Sequence, residues 1–401
     1  MDLKSGYPYW AVKNGLMRSY PPLRTDLHCD VAVIGAGITG AIIAHELADA
    51  GFDVAVFEQR DVGWGSSAAS TALLQYEIDT HLTDLSRQHG EEAAAMAYRA
   101  CQEAIGRLGD LARGVRDVDF AMGDSLYFAS HRWHVRRLRA EFEARRSAGL
   151  DTHWLDGAEI AREYGFDAPA GLLTHVAARV DPYRLAHRLL HRLHRRGCRV
   201  HGRTRLEPVR ATSRQVALES GDGARVTARH VVVAAGYEAQ RWIDQRLARN
   251  RSSYACITEP VELGPVADTL LWETARPYLY LRSTGDSRLL VGGEDDAVDL
   301  PKRRDARVEK KADKLIRRVG ELFPHLASAT PSFGWAGTFA ETEDGLPFFG
   351  PHPQWGPRVM FAMAYGGNGI VYAMLGAQLL RARLEGRPHP LKTLFGFERL
   401  R

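Results

Sequence analysis

Apolar residues fall in short blocks whose spacing switches along the chain, and each switch marks an element. Val31, Ala32, Val33 and Ile34 form an unbroken apolar run, as expected of a parallel strand covered on both faces. Glycines follow at 35, 37 and 40, then a helix that Gly51 stops, then a second strand over 54–57 ending at Glu58. Further on, the pattern is helical over 91–111 and 133–148, with a strand at 125–129 between them. Asp181 can cap a helix whose first position is Pro182, and Gly197 can end it. Next come a strand at 199–201, a hairpin about Gly221-Asp222-Gly223, and the buried run VVVAAG at 231–236. Residues 277–282 and 288–292 read as paired strands about a Gly285-Asp286-Ser287 turn. A helix over 307–323 is closed by Pro324. The leader, residues 1–29, is rich in aromatics and proline and is expected to cross the surface as an irregular segment.

The unit from Asp30 to Glu58 carries chemistry. Gly35 permits a tight turn, Gly37 lets backbone approach a pyrophosphate, and Gly40 allows close helix–strand packing. The helix opening at Ile38 and Thr39 points unpaired N–H groups and a positive dipole end at the phosphates. Glu58 falls about twenty residues past the glycines, where a ribose-binding carboxylate is expected. Strand, glycine turn, helix and acid in this order predict an adenine dinucleotide site.

At 401 residues the chain exceeds one ordinary core, so two domains are expected. There are no repeats and no low-complexity linker, so the two are expected to interleave in sequence. A net charge of +4 is small, and the arginines of 134–139 alternate with apolar residues, with Glu141 and Glu143 close behind. That reads as an amphipathic helix with a solvated arginine face rather than a nucleic-acid site. Cys29, Cys101, Cys198 and Cys256 are scattered and read as reduced thiols of a cytoplasmic protein. His187, His191 and His194 share a helix face among arginines without a carboxylate, so no metal site is expected. Neither a signal peptide nor an apolar span of membrane length is seen.

Several segments together resemble the FAD-dependent D-amino acid oxidase superfamily, the group holding glycine oxidase and sarcosine oxidase. They are GAGITG with Glu58, RDVGWGSS at 60–67, VDPYRL at 180–185, VVVAAG, WAGTFAETEDGLPFFG at 335–350 and AYGGNGIVYAMLGAQLL at 364–380. The resemblance implies an α/β fold: a Rossmann-like FAD-binding domain interleaved with an α+β substrate domain on an antiparallel sheet. Residues 1–90, 175–240 and 331–401 would form the first, and 91–174 and 241–330 the second. It also implies oxidation of a C–N bond in a small-molecule amine or amino acid. Hydride passes to flavin N5, the imine hydrolyses, and oxygen or another carrier takes the electrons. Gly366-Gly367-Asn368-Gly369, leading into a helix at Ile370, would offer N–H donors and a positive dipole end to the charge developing near flavin N1.

The resemblance places Glu58 on the adenosine ribose, with Gln59 and Arg60 beside it. Gly65, Ser66 and Ser67 approach the pyrophosphate or flavin, Leu206 touches the adenine by its main chain, and Ala235, Gly236 and Gly337 approach the cofactor. Relatives that attach flavin covalently would need histidine near Ala68 or Ala69, or cysteine near Gly337 or Thr338, so non-covalent FAD is expected here. Phe339 and Gly367 stand where relatives carry carboxylate-binding arginines. Tyr280 aligns with a substrate-site tyrosine, and Arg282, two residues on, shares its strand face and could replace the missing cation. An NAD(P)-linked dehydrogenase and a non-catalytic flavin-binding subunit are the alternatives.

Overall fold

The computed structural model describes residues 3–297, 299–363 and 365–400; Ala364, which opens the second glycine motif, lies outside them. Two sheets organise the chain. The first is mainly parallel, its strands running in the order Phe348–Pro351, Val359–Met363, Arg225–Val233, Leu27–Ile34, Val54–Phe57 and Arg199–His201. Val31 to Ile34 pair with Val54 to Phe57 on one side and with His230 to Val233 on the other. Burial of all four residues explains the unbroken apolar run. A meander of Leu206–Ala211 and Val216–Ser220 extends the strand Arg225–Val233.

Helices Ile38–Asp49, Pro182–Arg195 and Gly369–Leu384 pack together over this sheet. The first buries residues all round because it lies between the sheet and the other two helices, and the last because the long helix Glu91–Val115 covers it from outside. The Asp181 side chain accepts from Arg184 N at 2.8 Å and caps the middle helix, which carries Pro182 at its first turn.

The second sheet has ten strands, antiparallel except where Thr269–Glu273 runs parallel to Ala121–Phe128. It takes in Ala170–Arg179, Arg249–Pro260, Leu279–Ser283, Arg288–Asp296 and Pro331–Glu341, and helix Val308–Leu322 covers one face. Leu279, Leu281, Leu289 and Val291 point to that helix, while Tyr280, Arg282 and Leu290 alternate to the other face.

Two expectations change. The leader is irregular only over 15–26: Lys4–Gly6 pairs with Trp335, Ala336 and Gly337 at the edge of the second sheet, and Tyr9–Asn14 is a helix. Tyr9 and Trp10 are buried against Ala68, Tyr183 and Trp335, so this segment is core rather than surface. The same pairing puts 331–341 in the second sheet, along with Leu73–Gln75, although both were expected in the cofactor-binding parts.

Candidate active site

Both sheets contribute to one cleft of about 1700 Å³, open solvent included. Its first end lies at the carboxyl ends of the parallel strands, where open α/β sheets take their ligands. Gly35, Gly37, Ile38, Thr39, Glu58, Gln59, Arg60, Gly65, Ser66, Ser67, Leu206, Ala235 and Gly236 all line it. Gly35 has φ +109° and folds the strand into the helix. A Cβ on Gly40 would sit 1.9 Å from the Gly35 carbonyl oxygen, so the third glycine serves helix–strand contact and does not line the cleft.

The Glu58 carboxylate accepts from Ala36 N and Arg60 N, each at 2.9 Å. Burial raises its pKa, and those two donors counter the rise. Each oxygen keeps acceptor capacity for a ligand hydroxyl. Arg60 pairs with Glu238 at 2.9 Å, and Gln59 also donates to Glu238. Ser67 Oγ accepts from Ile38 N at 2.8 Å, while the buried Ser66 Oγ has no protein partner and lines the cleft. A buried hydroxyl without a partner, a glycine turn that a Cβ would fill and an acid with free lone pairs together suit an adenine dinucleotide.

The second glycine turn meets the same cleft through Gly367, Asn368, Gly369 and Ile370. Asn368 Nδ2 donates to Gln75 O at 2.9 Å, and Gly367 N donates to Asp79 Oδ2 at 2.8 Å. Gly366 bends the chain at φ +58°, donating to Ala340 O and accepting from the Tyr237 hydroxyl, without lining the cleft itself. Gly337 is also absent from the cleft wall; a Cβ there would meet Ala69 Cβ at 3.3 Å, so it is a packing glycine between strand and turn.

Trp272, Tyr278 and Tyr280 form an aromatic wall at this end. The Tyr280 ring lies on Gly292, its cross-strand partner, where a Cβ would come within 2.3 Å of the ring. Burial pushes the Tyr280 phenol up to about 12, so it stays protonated at neutral pH. Trp272 stacks on Tyr127 with centroids 3.7 Å apart, and the Tyr127 hydroxyl meets His81 Nε2 at 3.0 Å.

Arg282 does not supply the missing cation. Its guanidinium is buried and donates to Thr71 O at 2.7 Å, Ser283 O at 3.0 Å and Val180 O at 3.0 Å, with Trp10 over it at 5.1 Å. The strand face was read correctly, but the leader helix covers that face at Arg282. Burial lowers its pKa to about 9, with Arg179 adding to the shift.

Cleft residues that the sequence did not single out include Gln75, Asp79, Tyr237, Trp272 and Arg276. None sits in a glycine motif, so spacing carried no signal for them. It also took the basic helix Val135–Ser147 as wholly solvated on its arginine face. Arg145 is fully buried there, bonded to Glu141 at 2.8 Å and Glu77 at 3.3 Å. The i,i+4 spacing of Glu141 and Arg145 was the available sign. The four cysteines are unpaired, and the described residues hold no cluster of three metal-ligating side chains. Among them, no helix is long and apolar enough to cross a membrane.

Comparison with known proteins agrees with this geometry. The chain is 26% identical to γ-glutamylputrescine oxidoreductase of Escherichia coli (strain K12) over 391 residues, 94% of this chain and 88% of that protein. It is 27% identical to glycine oxidase of Bacillus licheniformis, covering 92% of this chain and 96% of the relative. Among solved structures, glycine oxidase from Geobacillus kaustophilus superposes with a TM-score of 0.76 at 21% identity, covering 92% of this chain and 98% of that one. L-proline dehydrogenase from P. horikoshii gives 0.79 at 17% identity, covering 93% and 99%. Residues 30–383 match the DAO family of FAD dependent oxidoreductases, and the chain belongs to that family.

Proposed function

We propose that the protein oxidises the C–N bond of an amine or amino acid with non-covalently bound FAD. The observation that carries this reading is a single cleft reaching from Gly37 and Glu58 to Asn368 and Tyr280. When bound, FAD supplies a two-electron acceptor for the hydride leaving the substrate carbon. The chain supplies the rest. Glu58 and the turn at Gly35 to Gly37 hold the adenosine and pyrophosphate. The N-terminus of helix Gly369–Leu384 places partial positive charge at the far end of the cleft. Trp272, Tyr278 and Tyr280 orient the substrate and exclude water. No histidine or lysine among the described residues lines the cleft, which fits an amine that sheds its proton to solvent before reacting. The amine loses hydride from carbon and a proton from nitrogen, and water then converts the imine to a carbonyl compound, releasing ammonia from a primary amine or a smaller amine from a secondary one.

Ala69 and Gly337 face one another where relatives would carry an attachment residue, and neither offers a nucleophile. The relatives named for an amine and an amino acid substrate support the reaction class. Oxygen or another carrier completes the cycle, in a cytoplasmic setting. Purified protein should be yellow, release its FAD on denaturation, and bleach when mixed anaerobically with a panel of amines and amino acids. A colourless protein that takes up nicotinamide nucleotide would favour the dehydrogenase alternative. Flavin that chemical reductants bleach but no amine does would make this a binding subunit.

A further inference from the structure

Asp79 lines the cleft beside the second glycine turn and is exposed there. Its Oδ2 accepts from Gly367 N at 2.8 Å, which is its one hydrogen bond among the described residues. A Cβ on Gly366 would stand 2.9 Å from Asp79 Oδ2, and one on Gly367 would stand 3.2 Å from both oxygens. The two glycines thus leave room for a carboxylate where side chains would displace it.

The other acids near this end meet cations. Arg276 acts on Asp295, opposing the rise to about 6 that burial gives that carboxyl. Glu77 lies 3.3 Å from Arg145, Glu273 pairs with Arg318, and Glu341 with Arg251. Asp79 has no ion-pair partner among the described residues, so its charge is left unmatched at the cleft surface. That charge reaches the aromatic wall. Burial is the main cause of the raised phenol pKa of Tyr237, Tyr278 and Tyr280, and Asp79 adds to all three. Neutral aromatic rings beside an unmatched carboxylate favour an ammonium over a neutral or anionic group.

The reacting nitrogen does not suit this place. A carboxylate beside it would hold its proton on, whereas departure of hydride needs the nitrogen lone pair. A cation that keeps its charge throughout the reaction does suit it.

We propose that Asp79 and the aromatic wall form a subsite for a second, non-reacting ammonium of the substrate. The preferred substrates are then amines that carry another cationic group. This rests on the amine-oxidation reading, and paired probes separate the two. Holoenzyme is titrated with choline, whose quaternary nitrogen has no lone pair, and with 3,3-dimethylbutan-1-ol, the neutral compound of the same shape. Perturbation of the visible flavin spectrum reports binding. Wild type should bind choline about tenfold more tightly. Added salt should narrow that preference, since Asp79 is exposed. Asp79→Asn keeps an acceptor for Gly367 N but removes the charge, and should bring the two affinities within about twofold. Asp79→Glu should keep the preference. In anaerobic mixing, α,ω-diamines should reduce the flavin about tenfold more efficiently than n-alkylamines of equal length, and Asp79→Asn should erase that advantage.

Equal affinity of wild type for choline and its neutral counterpart would overturn the proposal, as would a preference that survives Asp79→Asn. Should Asp79→Asn fail to retain FAD, the wild-type pair decides, because a preference untouched by salt would overturn the proposal as well. Monoamines that reduce the flavin as efficiently as diamines would strike the subsite and leave the oxidation reading standing. Choline-selective binding through Asp79, with no amine able to reduce the flavin, would do the reverse.

Discussion

The two ends of the cleft are built in different ways. The dinucleotide end rests on the parallel sheet and works through backbone and small residues: Gly35, Gly37, Ser66 and Ser67, with one acid, Glu58. The end proposed to take the substrate rests on the antiparallel sheet and is lined by large side chains: Trp272, Tyr278, Tyr280 and Arg276. A backbone site depends on local chain geometry and is fixed by a short stretch of sequence. A side-chain site depends on which distant strands and loops meet, and its chemistry can change one residue at a time.

Substitutions at the two ends should therefore fail differently. Gly37→Val should have the largest effect, because a Cβ there already stands 3.0 Å from Ser67 Oγ and the branches would fill the turn. The purified variant should lack FAD altogether, and a stoichiometric yellow protein would break the assignment of this turn. Arg282→Ala comes next. It leaves three buried carbonyls without donors and should cost about 4 kcal/mol of stability, seen as a lower Tm. Gly292→Ala forces the Tyr280 ring from its place on the sheet, so kcat/KM should fall about tenfold at full FAD content. A variant that loses FAD instead would blur the division between the two ends.

The smallest effect is expected behind the aromatic wall. Burial holds His81 down at about 4, against an ordinary value near 6.5. As pH falls below about 6.5 the unfolded chain takes up the proton first, so stability declines until about pH 4. His81→Gln should remove about 1 kcal/mol of that decline, measured as a flatter Tm profile across this window. An unchanged profile would argue against a neutral His81.

The same contrast explains what could be read in advance. The run Val31 to Ile34, the three glycines and Glu58 encode their structure locally, so strand, helix and turn were legible. So was the capped helix at Asp181 and Pro182. The leader was not, because Lys4–Gly6 gains its strand character from pairing with Trp335 to Gly337, more than 300 positions away. That omission produced the error at Arg282. Alternation along Leu279–Ser283 correctly placed Arg282 on the face of Tyr280. Alternation does not say what covers a face, and the cover was Trp10. Arg276 sits in a loop without period, where pattern has nothing to offer.

Gly292 has a wider bearing. Because the Tyr280 ring lies directly on its backbone, the floor of the wall there is main chain rather than a neighbouring side chain. The residues free to vary around a bound molecule are then those on the loop from 274 to 278. A new diet could be acquired by editing that loop, while the strands beneath keep their present company.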